Sequence, residues 1–257
     1  MLNLSHNGGA DRFNGGARAT TNHEVIMLDP GHTSPYASAA SAELSAFEAA
    51  ARYALLQRLA PAIRHDMLGT LQSMGMLAAM IERRLQSANP DLASIRQDCA
   101  SLDIAARTAA SSSINLMGWI APKGASTVKV DAGVQECLGL LSTQLRFKGF
   151  VIVNEVSGID AELSSAALRS VLSATLIALS DHSGLPADLL IRAQALPDRV
   201  EFSIELRPTE ARVKNFRLAE SRPLSWREVE ILASAESVEL TLVNGGAQLS
   251  FRRAGAS

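Results

Sequence analysis

The chain has 257 residues, of which 47% are hydrophobic and 19% are charged, a balance typical of soluble globular proteins with a sizeable core. Its formal net charge of -2 gives no general attraction to nucleic acid or to an anionic membrane, so neither is expected as a partner. The two cysteines, Cys99 and Cys137, lie far apart without metal-ligand spacing. No apolar run approaches the roughly 20 residues that span a bilayer. We therefore expect a cytoplasmic protein without a disulfide framework, a zinc site or a membrane span.

The first 40 residues are rich in Gly, Asn, Ser, Thr and Ala and show no sustained apolar periodicity. Such a composition buries too little apolar surface to offset the entropy that is lost on ordering. Residues 1–40 are therefore predicted to form a flexible tail.

Two long amphipathic helices are predicted within residues 41–122. In the first, apolar residues recur at steps of three, four or seven from Leu56 to Leu85, and Pro61 is expected to bend the helix. Asn-Pro-Asp at 89–91 separates it from the second, with Asn89 as the expected N-cap of a helix that runs to about Ile120. Such a hairpin leaves one apolar face uncovered, and the pairing of two copies into a four-helix bundle would bury that face.

The pattern changes to mixed α and β after Gly124. Strands are predicted at 127–130, 150–156, 189–195, 200–207, 238–243 and 248–252, and helices at 132–147, 164–180 and 225–235. Asn-Gly-Gly from Asn244 is a strong turn signal and predicts a hairpin of the last two strands. Residues 126–257 are therefore predicted to form a small α/β sandwich.

A helical hairpin with a His-Asp pair in its first helix, followed by an α/β domain, resembles the core of two-component histidine kinases. In that family a dimeric hairpin carries the phosphorylated histidine and the α/β domain binds ATP. The resemblance covers about residues 41 to 253. It implies a fold of class α then α/β, in which a four-helix bundle formed by dimerisation is followed by a histidine-kinase-like α/β sandwich.

The ATP motifs of that family are missing here. The segment LRSVLSATLIAL, residues 168–179, places Ala174 and Ala178 at the two asparagine positions, and alanine has no oxygen for the family's Mg²⁺. No glycine occurs between Leu185 and Asn244, where the family's glycine-rich motifs would lie against the phosphates. We therefore expect a degenerate domain that binds no nucleotide and a protein with no cofactor of its own.

A kinase-like dimer without ATP resembles the ChpT-type histidine phosphotransferases, which relay phosphoryl groups between receiver domains. Their histidine helix typically reads H-D-L-x-G-P; His65, Asp66 and Gly69 match in register, while Thr70 stands where proline is usual. A glycine inside a helix costs about 1 kcal/mol against alanine, and the close approach of a partner would account for it. The resemblance implies response-regulator receiver domains or a hybrid histidine kinase as partners, with Mg²⁺ held by the receiver.

His65 is the predicted phosphoryl acceptor. It is two positions from both Ile63 and Met67, so it projects about 160° from the apolar stripe and is expected to face solvent. A neutral imidazole nitrogen is nucleophilic near neutral pH, and Asp66 is the candidate to orient the ring and stabilise its charge. Residues predicted to contact the partner are Arg58, Arg64, Leu68, Gly69, Thr70 and Gln72.

Several other interpretations stay open. The alternative interpretation of His65 and Asp66 is a plain solvated helix face. The chain would then be a non-catalytic pseudokinase that binds and regulates a response regulator or a histidine kinase, or a purely structural helical dimer. An ATP-using kinase with an unorthodox site near Asp181 is a further alternative.

Overall fold

The structure, a computed structural model, describes residues 35–120, 126–209 and 222–255. The predicted tail up to residue 34 and the break predicted after Ile120 lie outside the described residues. Two helices, α1 (Pro35–Leu85) and α2 (Leu92–Ile120), form the predicted hairpin. Helix α1 begins earlier than the predicted start at residue 41, since Pro35 suits a first helical position and the alanines after it favour helix. Pro61 lies inside α1 and does not end it.

Asp91 caps α2, so the prediction that Asn89 is the N-cap was wrong. One carboxylate oxygen of Asp91 accepts hydrogen bonds from the backbone N–H groups of Ala93 and Ser94, at 3.0 and 3.3 Å. The Ser94 hydroxyl donates to the other oxygen at 2.7 Å, and these bonds from Ser94 hold the pKa of Asp91 below its usual value. Asp91 directly precedes the first helical residue, which is the position from which a side chain reaches the unpaired amides of the first turn.

The second half of the chain alternates helices and strands, as predicted. Its elements are β1 (Thr127–Lys129), α3 (Val130–Phe147), β2 (Val151–Asn154), β3 (Glu162–Ser164), α4 (Ser165–Ala167), a π-helical turn (Leu168–Leu172), α5 (Ser173–His182), β4 (Ala187–Ala195), β5 (Arg199–Pro208), α6 (Trp226–Ala235), β6 (Glu239–Val243) and β7 (Gly246–Arg252). The strand β3 was not predicted. It pairs antiparallel with β1 in a separate two-stranded sheet.

The main sheet has five strands in the order β2-β4-β5-β7-β6, with β2 and β4 parallel and the other pairs antiparallel. The predicted hairpin of β6 and β7 is confirmed, and Gly245 in its turn has a φ of 75°, which glycine adopts without strain. Val200, Phe202 and Ile204 of β5 alternate with outward polar residues and are buried beneath the helical layer of α3, α5 and α6. The result is a two-layer α/β sandwich.

The hairpin and the sandwich share one hydrophobic core. Ala51, Leu55 and Leu59 of α1 are buried in the same cluster as the sandwich residues, and α1 packs against α3 and α6. Further along α1 the apolar side chains are exposed, among them Met67 at 42% and Leu71 at 54%. Met76 and Met80, further along α1, are exposed in the single chain as well. Dimerisation into a four-helix bundle stays a prediction.

Candidate functional site

His65 lies at the edge of a cleft between the helical hairpin and α3. The imidazole is exposed, as the helical geometry predicted, and it borders a cavity of about 450 Å³. We call this cavity the histidine cleft; its lining residues are Pro61, Ala62, His65 and Asp66 of α1, Ser112 and Trp119 of α2, and Gln135, Glu136, Gly139, Leu140, Thr143, Gln144, Phe147 and Lys148 at α3. His65 is therefore open to a partner on one side and to a preformed concave surface on the other.

Asp66 also lines the histidine cleft and is exposed. In the part of the chain that the structure describes, its carboxylate makes no hydrogen bond to the His65 ring; only its backbone carbonyl is engaged, by the Thr70 hydroxyl at 3.1 Å. That bond occupies the hydroxyl of Thr70, which is half-buried. A role of Asp66 in orienting the imidazole stays a prediction, and it requires a rotation of the side chain or a bound partner.

The surface beside Gly69 is open. A methyl group placed on Gly69 would meet no atom of the described residues within 4 Å, so none of their contacts requires glycine at this position. The neighbouring Gln72 is exposed as well. The predicted reason for the glycine, the close approach of a partner, is therefore compatible with this geometry and remains a prediction.

Arg64 and Leu68 lie on a different side of α1 from the histidine cleft. They belong to a shallow apolar groove, which is lined by Leu56, Ala60, Ile63, Arg64, Met67, Leu68 and Leu71. Leu68 is 49% exposed there. The structure thus separates the predicted partner contacts into two surfaces, one around His65 and one along this groove.

Arg58 is not on the surface at all. It is only 5% exposed, and its guanidinium lies 2.6 Å from an Asp181 carboxylate oxygen. The prediction that Arg58 contacts a partner is at odds with this burial, because its charged group points into the protein. The reason is tertiary: α1 packs on the sandwich at this level, and α5 ends with a carboxylate opposite Arg58.

The Asp181 carboxylate joins several elements. Besides Arg58 it binds the Lys148 ammonium, and its second oxygen accepts the backbone N–H of Leu224 at 2.9 Å. Burial lowers the pKa of Lys148 below the usual lysine value, while hydrogen bonding to Asp181 opposes that shift. Because Lys148 also lines the histidine cleft, this cluster lies directly beneath the cleft.

A second polar cluster forms the far wall of the histidine cleft. The indole N–H of Trp119 donates to Glu136 at 3.1 Å, and Arg169 of the π-helical turn pairs with the same carboxylate at 2.9 Å. The Arg169 guanidinium also lies over the Trp119 ring, 5.9 Å from its centroid. The end of α2 is therefore attached to α3 and to the π-helical turn.

The two positions of the family's asparagines lie in the core. Ala174 and Ala178 are both completely buried within the described part of the chain. His182 is half-buried; its Nδ1 lies 2.8 Å from the Ala178 carbonyl oxygen and its ring packs on Trp226. The alternative site around Asp181 is occupied by the ion pairs with Arg58 and Lys148.

Neither a metal site nor a membrane span is found in the described ranges. No group of three or more His, Cys, Asp or Glu residues there could hold a metal ion. Among the helices of those ranges, none combines the length and the apolar character that crossing a membrane requires.

Sequence reasoning missed most of the cleft. Trp119 comes from α2, Glu136 lies in α3 and Lys148 directly follows α3, and no motif or spacing connects them with His65. Asp181 carried one usable signal, because it is an acidic residue that follows a run of eight buried residues in α5. An unpaired carboxylate at such a place is costly, so a cationic partner is expected.

The chain matches no protein-family model and no curated protein. Among solved structures, it is similar to the histidine kinase AdeS of Acinetobacter baumannii, with 13% identity, a TM-score of 0.39 and coverage of 72% of this chain and 98% of that one. It is also similar to the histidine kinase ThkA in complex with the response regulator protein TrrA, at 10% identity and a TM-score of 0.36, covering 87% and 67% of the two chains. A bacterial phosphotransferase matches at 12% identity and a TM-score of 0.33, covering 86% and 98%. At these identities and TM-scores, nothing about the activity of this chain follows from the similarities.

Proposed function

We propose that the protein is a homodimeric histidine phosphotransferase, which passes a phosphoryl group between the receiver aspartates of response regulators without using ATP. The observation that carries the proposal is the position of His65: an exposed imidazole on the hairpin, at the edge of the histidine cleft. The partners are receiver domains, including that of a hybrid histidine kinase.

The chemistry is a reversible in-line transfer. The unprotonated ring nitrogen of His65 attacks the phosphorus of a receiver's aspartyl phosphate. The N–P bond forms as the bond from phosphorus to the aspartyl oxygen breaks, and the carboxylate leaves with the electron pair. The second ring nitrogen keeps its proton, and the carboxylate of Asp66 stabilises the positive charge that develops on the ring. The reverse reaction with a second receiver regenerates the imidazole, and Mg²⁺ comes with each receiver.

Two features of the sandwich support independence from ATP. Ala174 and Ala178 are fully buried and have no side-chain oxygen to coordinate a cation. Asp181, the nearest carboxylate on the same helix, is engaged by two cations. In this proposal the α/β domain supports the hairpin structurally and does not supply the phosphoryl group. Another protein supplies that group.

The exposed apolar residues of the hairpin support a dimer. Met67, Leu68 and Leu71 lie together along the apolar groove, and Ile114 and Met117 of α2 are 71% and 62% exposed. Soluble monomers rarely expose contiguous apolar surface of this kind. A second copy of the hairpin would cover it in a four-helix bundle, which leaves the opposite side of α1, with His65, accessible.

Transfer of label from a phosphorylated receiver tests the proposal. A receiver that carries radioactive phosphate on its aspartate is mixed with the full chain, and the acid-labile, alkali-stable phosphohistidine is then mapped by peptide analysis. We expect label on His65, none in a His65→Ala variant, and unchanged labelling in His182→Ala, whose histidine lies outside the cleft. Wild-type protein that takes up no label while still binding the receivers would favour the non-catalytic pseudokinase. Wild-type protein that neither binds receivers nor takes up label would favour the structural dimer.

A further inference from the structure

The ion cluster around Asp181 connects α1 with three parts of the sandwich. Arg58 comes from α1, Lys148 from the end of α3, and the N–H of Leu224 from the segment that enters α6. The side chains of Arg58, Lys148 and Asp181 are each at most 7% exposed. The cluster is therefore shielded from solvent, and it lies where the hairpin meets the helical layer.

Arg58 and His65 lie on the same side of α1. Seven residues separate them, which corresponds to about two turns, a rise of about 10 Å and an angular difference of only about 20°. Any rotation of α1 about its axis therefore moves both side chains in the same direction. When the guanidinium of Arg58 is held by Asp181, the direction of the His65 side chain is held as well.

Stability alone is a poor explanation for this arrangement. Two cations share a single carboxylate, and a buried ion pair often contributes no more than an apolar contact of similar volume. Charged hydrogen bonds do, however, specify one geometry, whereas apolar contacts such as that of Leu59 tolerate sliding and rotation. What the cluster adds to the apolar packing is a defined orientation of α1.

We infer that Arg58 is a positioning residue: through Asp181 and Lys148, the sandwich holds α1 in the rotation that directs His65 along the histidine cleft. The inference rests on the proposed phosphotransfer and adds a role for the α/β domain. Helix α5, which in the resembled kinases carries the nucleotide asparagines, serves here to anchor the histidine helix. Arg58 acts on the reaction only through the orientation of His65.

Substitution of Arg58 tests the anchor. Arg58→Met preserves the apolar stem and leaves Asp181 and Lys148 as a pair of opposite charges, so the fold is expected to survive. Arg58→Lys restores the cation and is the rescue variant. Arg83→Met, at an exposed position near the far end of the same helix, is the matched control. Cooperative urea unfolding of the four proteins verifies that each is folded.

Two measurements decide the outcome. In the full chain, amide hydrogen exchange across residues 58–70 is expected to be faster in Arg58→Met than in the wild type, and this measurement requires no activity. The rate of phosphotransfer at saturating receiver is expected to fall about ten- to hundredfold, because small misplacements of reacting groups slow a reaction by factors of this size. Arg58→Lys is expected to recover part of that loss, and Arg83→Met to show neither effect.

Unaltered exchange in Arg58→Met, or a wild-type transfer rate in that variant, overturns the inference. A failure of the proposed function gives a different result: the wild-type protein then carries no label on His65. If His65 takes up no label, hydrogen exchange still shows whether Arg58 anchors α1. The claim that Arg58 positions a phosphoryl acceptor would then fall together with the proposed function.

Discussion

The two halves of α1 both carry apolar residues at helical spacing, but these residues lie in different environments. In the first half, Ala51, Leu55 and Leu59 follow a helical spacing and are at most 5% exposed, because α3 and α6 pack on them. In the second half, Met67 and Leu71 follow the same spacing and are 42% and 54% exposed. The difference teaches that helical periodicity reveals an apolar face but not what covers it. His65 lies where the first environment changes into the second.

The largest change in the free energy of unfolding is expected at the ion cluster around Asp181, which binds Arg58 in the first half of α1. Asp181→Asn would remove the carboxylate charge that binds the two buried cations Arg58 and Lys148. The free energy of unfolding, measured by urea denaturation, should fall by about 3–5 kcal/mol. Asp103→Asn, at an exposed ion pair of α2, is the control and should change it by no more than about 0.5 kcal/mol. Equal losses in the two variants would mean that the Asp181 cluster is not buried in solution.

The next prediction compares one leucine from each half of α1. Leu59 is completely buried, so Leu59→Ala should lower the free energy of unfolding by about 2–5 kcal/mol. Leu71→Ala removes the same atoms from an exposed position, and its cost in the monomer should stay below about 0.5 kcal/mol. The measurement is urea denaturation at protein concentrations where the chain is monomeric. A large loss in the free energy of unfolding for Leu71→Ala under these conditions would mean that other residues of the same chain bury Leu71.

Measurements of dimerisation test whether a second copy of the chain covers the apolar groove in the second half of α1. Leu68→Glu places a charge in the apolar groove, where the partner helix is expected to lie. The dissociation constant of the dimer, from sedimentation velocity, should rise at least about tenfold, equivalent to about 1.4 kcal/mol. Leu185→Glu introduces the same charge at an exposed site of the sandwich and should leave association unchanged. If neither variant alters the dimer, the apolar groove is not part of its interface.

The smallest effect concerns Gly69. Gly69→Ala should raise the free energy of unfolding by about 1 kcal/mol, because alanine favours helix and the added methyl group meets none of the described residues within 4 Å. Gly75→Ala, in the same helix with equally open surroundings, should give the same gain. Only Gly69→Ala should slow transfer from a phosphorylated receiver, because only that methyl group would lie against the docked partner. Equal transfer rates in both variants would remove the reason proposed for this glycine.

Much of the fold was predictable because its signals are local. The change from helical spacing to short strands and the turn at Asn244 depend on residues that are near in sequence. Predictions failed where local rules compete. Asn89 and Asp91 are both good N-cap residues, and only the backbone decides that Asp91 reaches the amides. The exposure of His65 followed from its angle to the apolar stripe, which a regular helix preserves.

The sequence by itself determined the order of elements, the exposed imidazole on α1 and the absence of side-chain oxygens at positions 174 and 178. These properties follow from residue identity and from periods of a few residues, which the chain carries wherever it folds. Only the tertiary structure decided that Arg58 is buried, that Asp181 binds it, and that α3 forms the opposite wall of the histidine cleft. Such contacts join residues far apart in sequence, 123 positions in the case of Arg58 and Asp181. Whether a charged side chain meets water or a carboxylate depends on how helices pack, which no local pattern encodes.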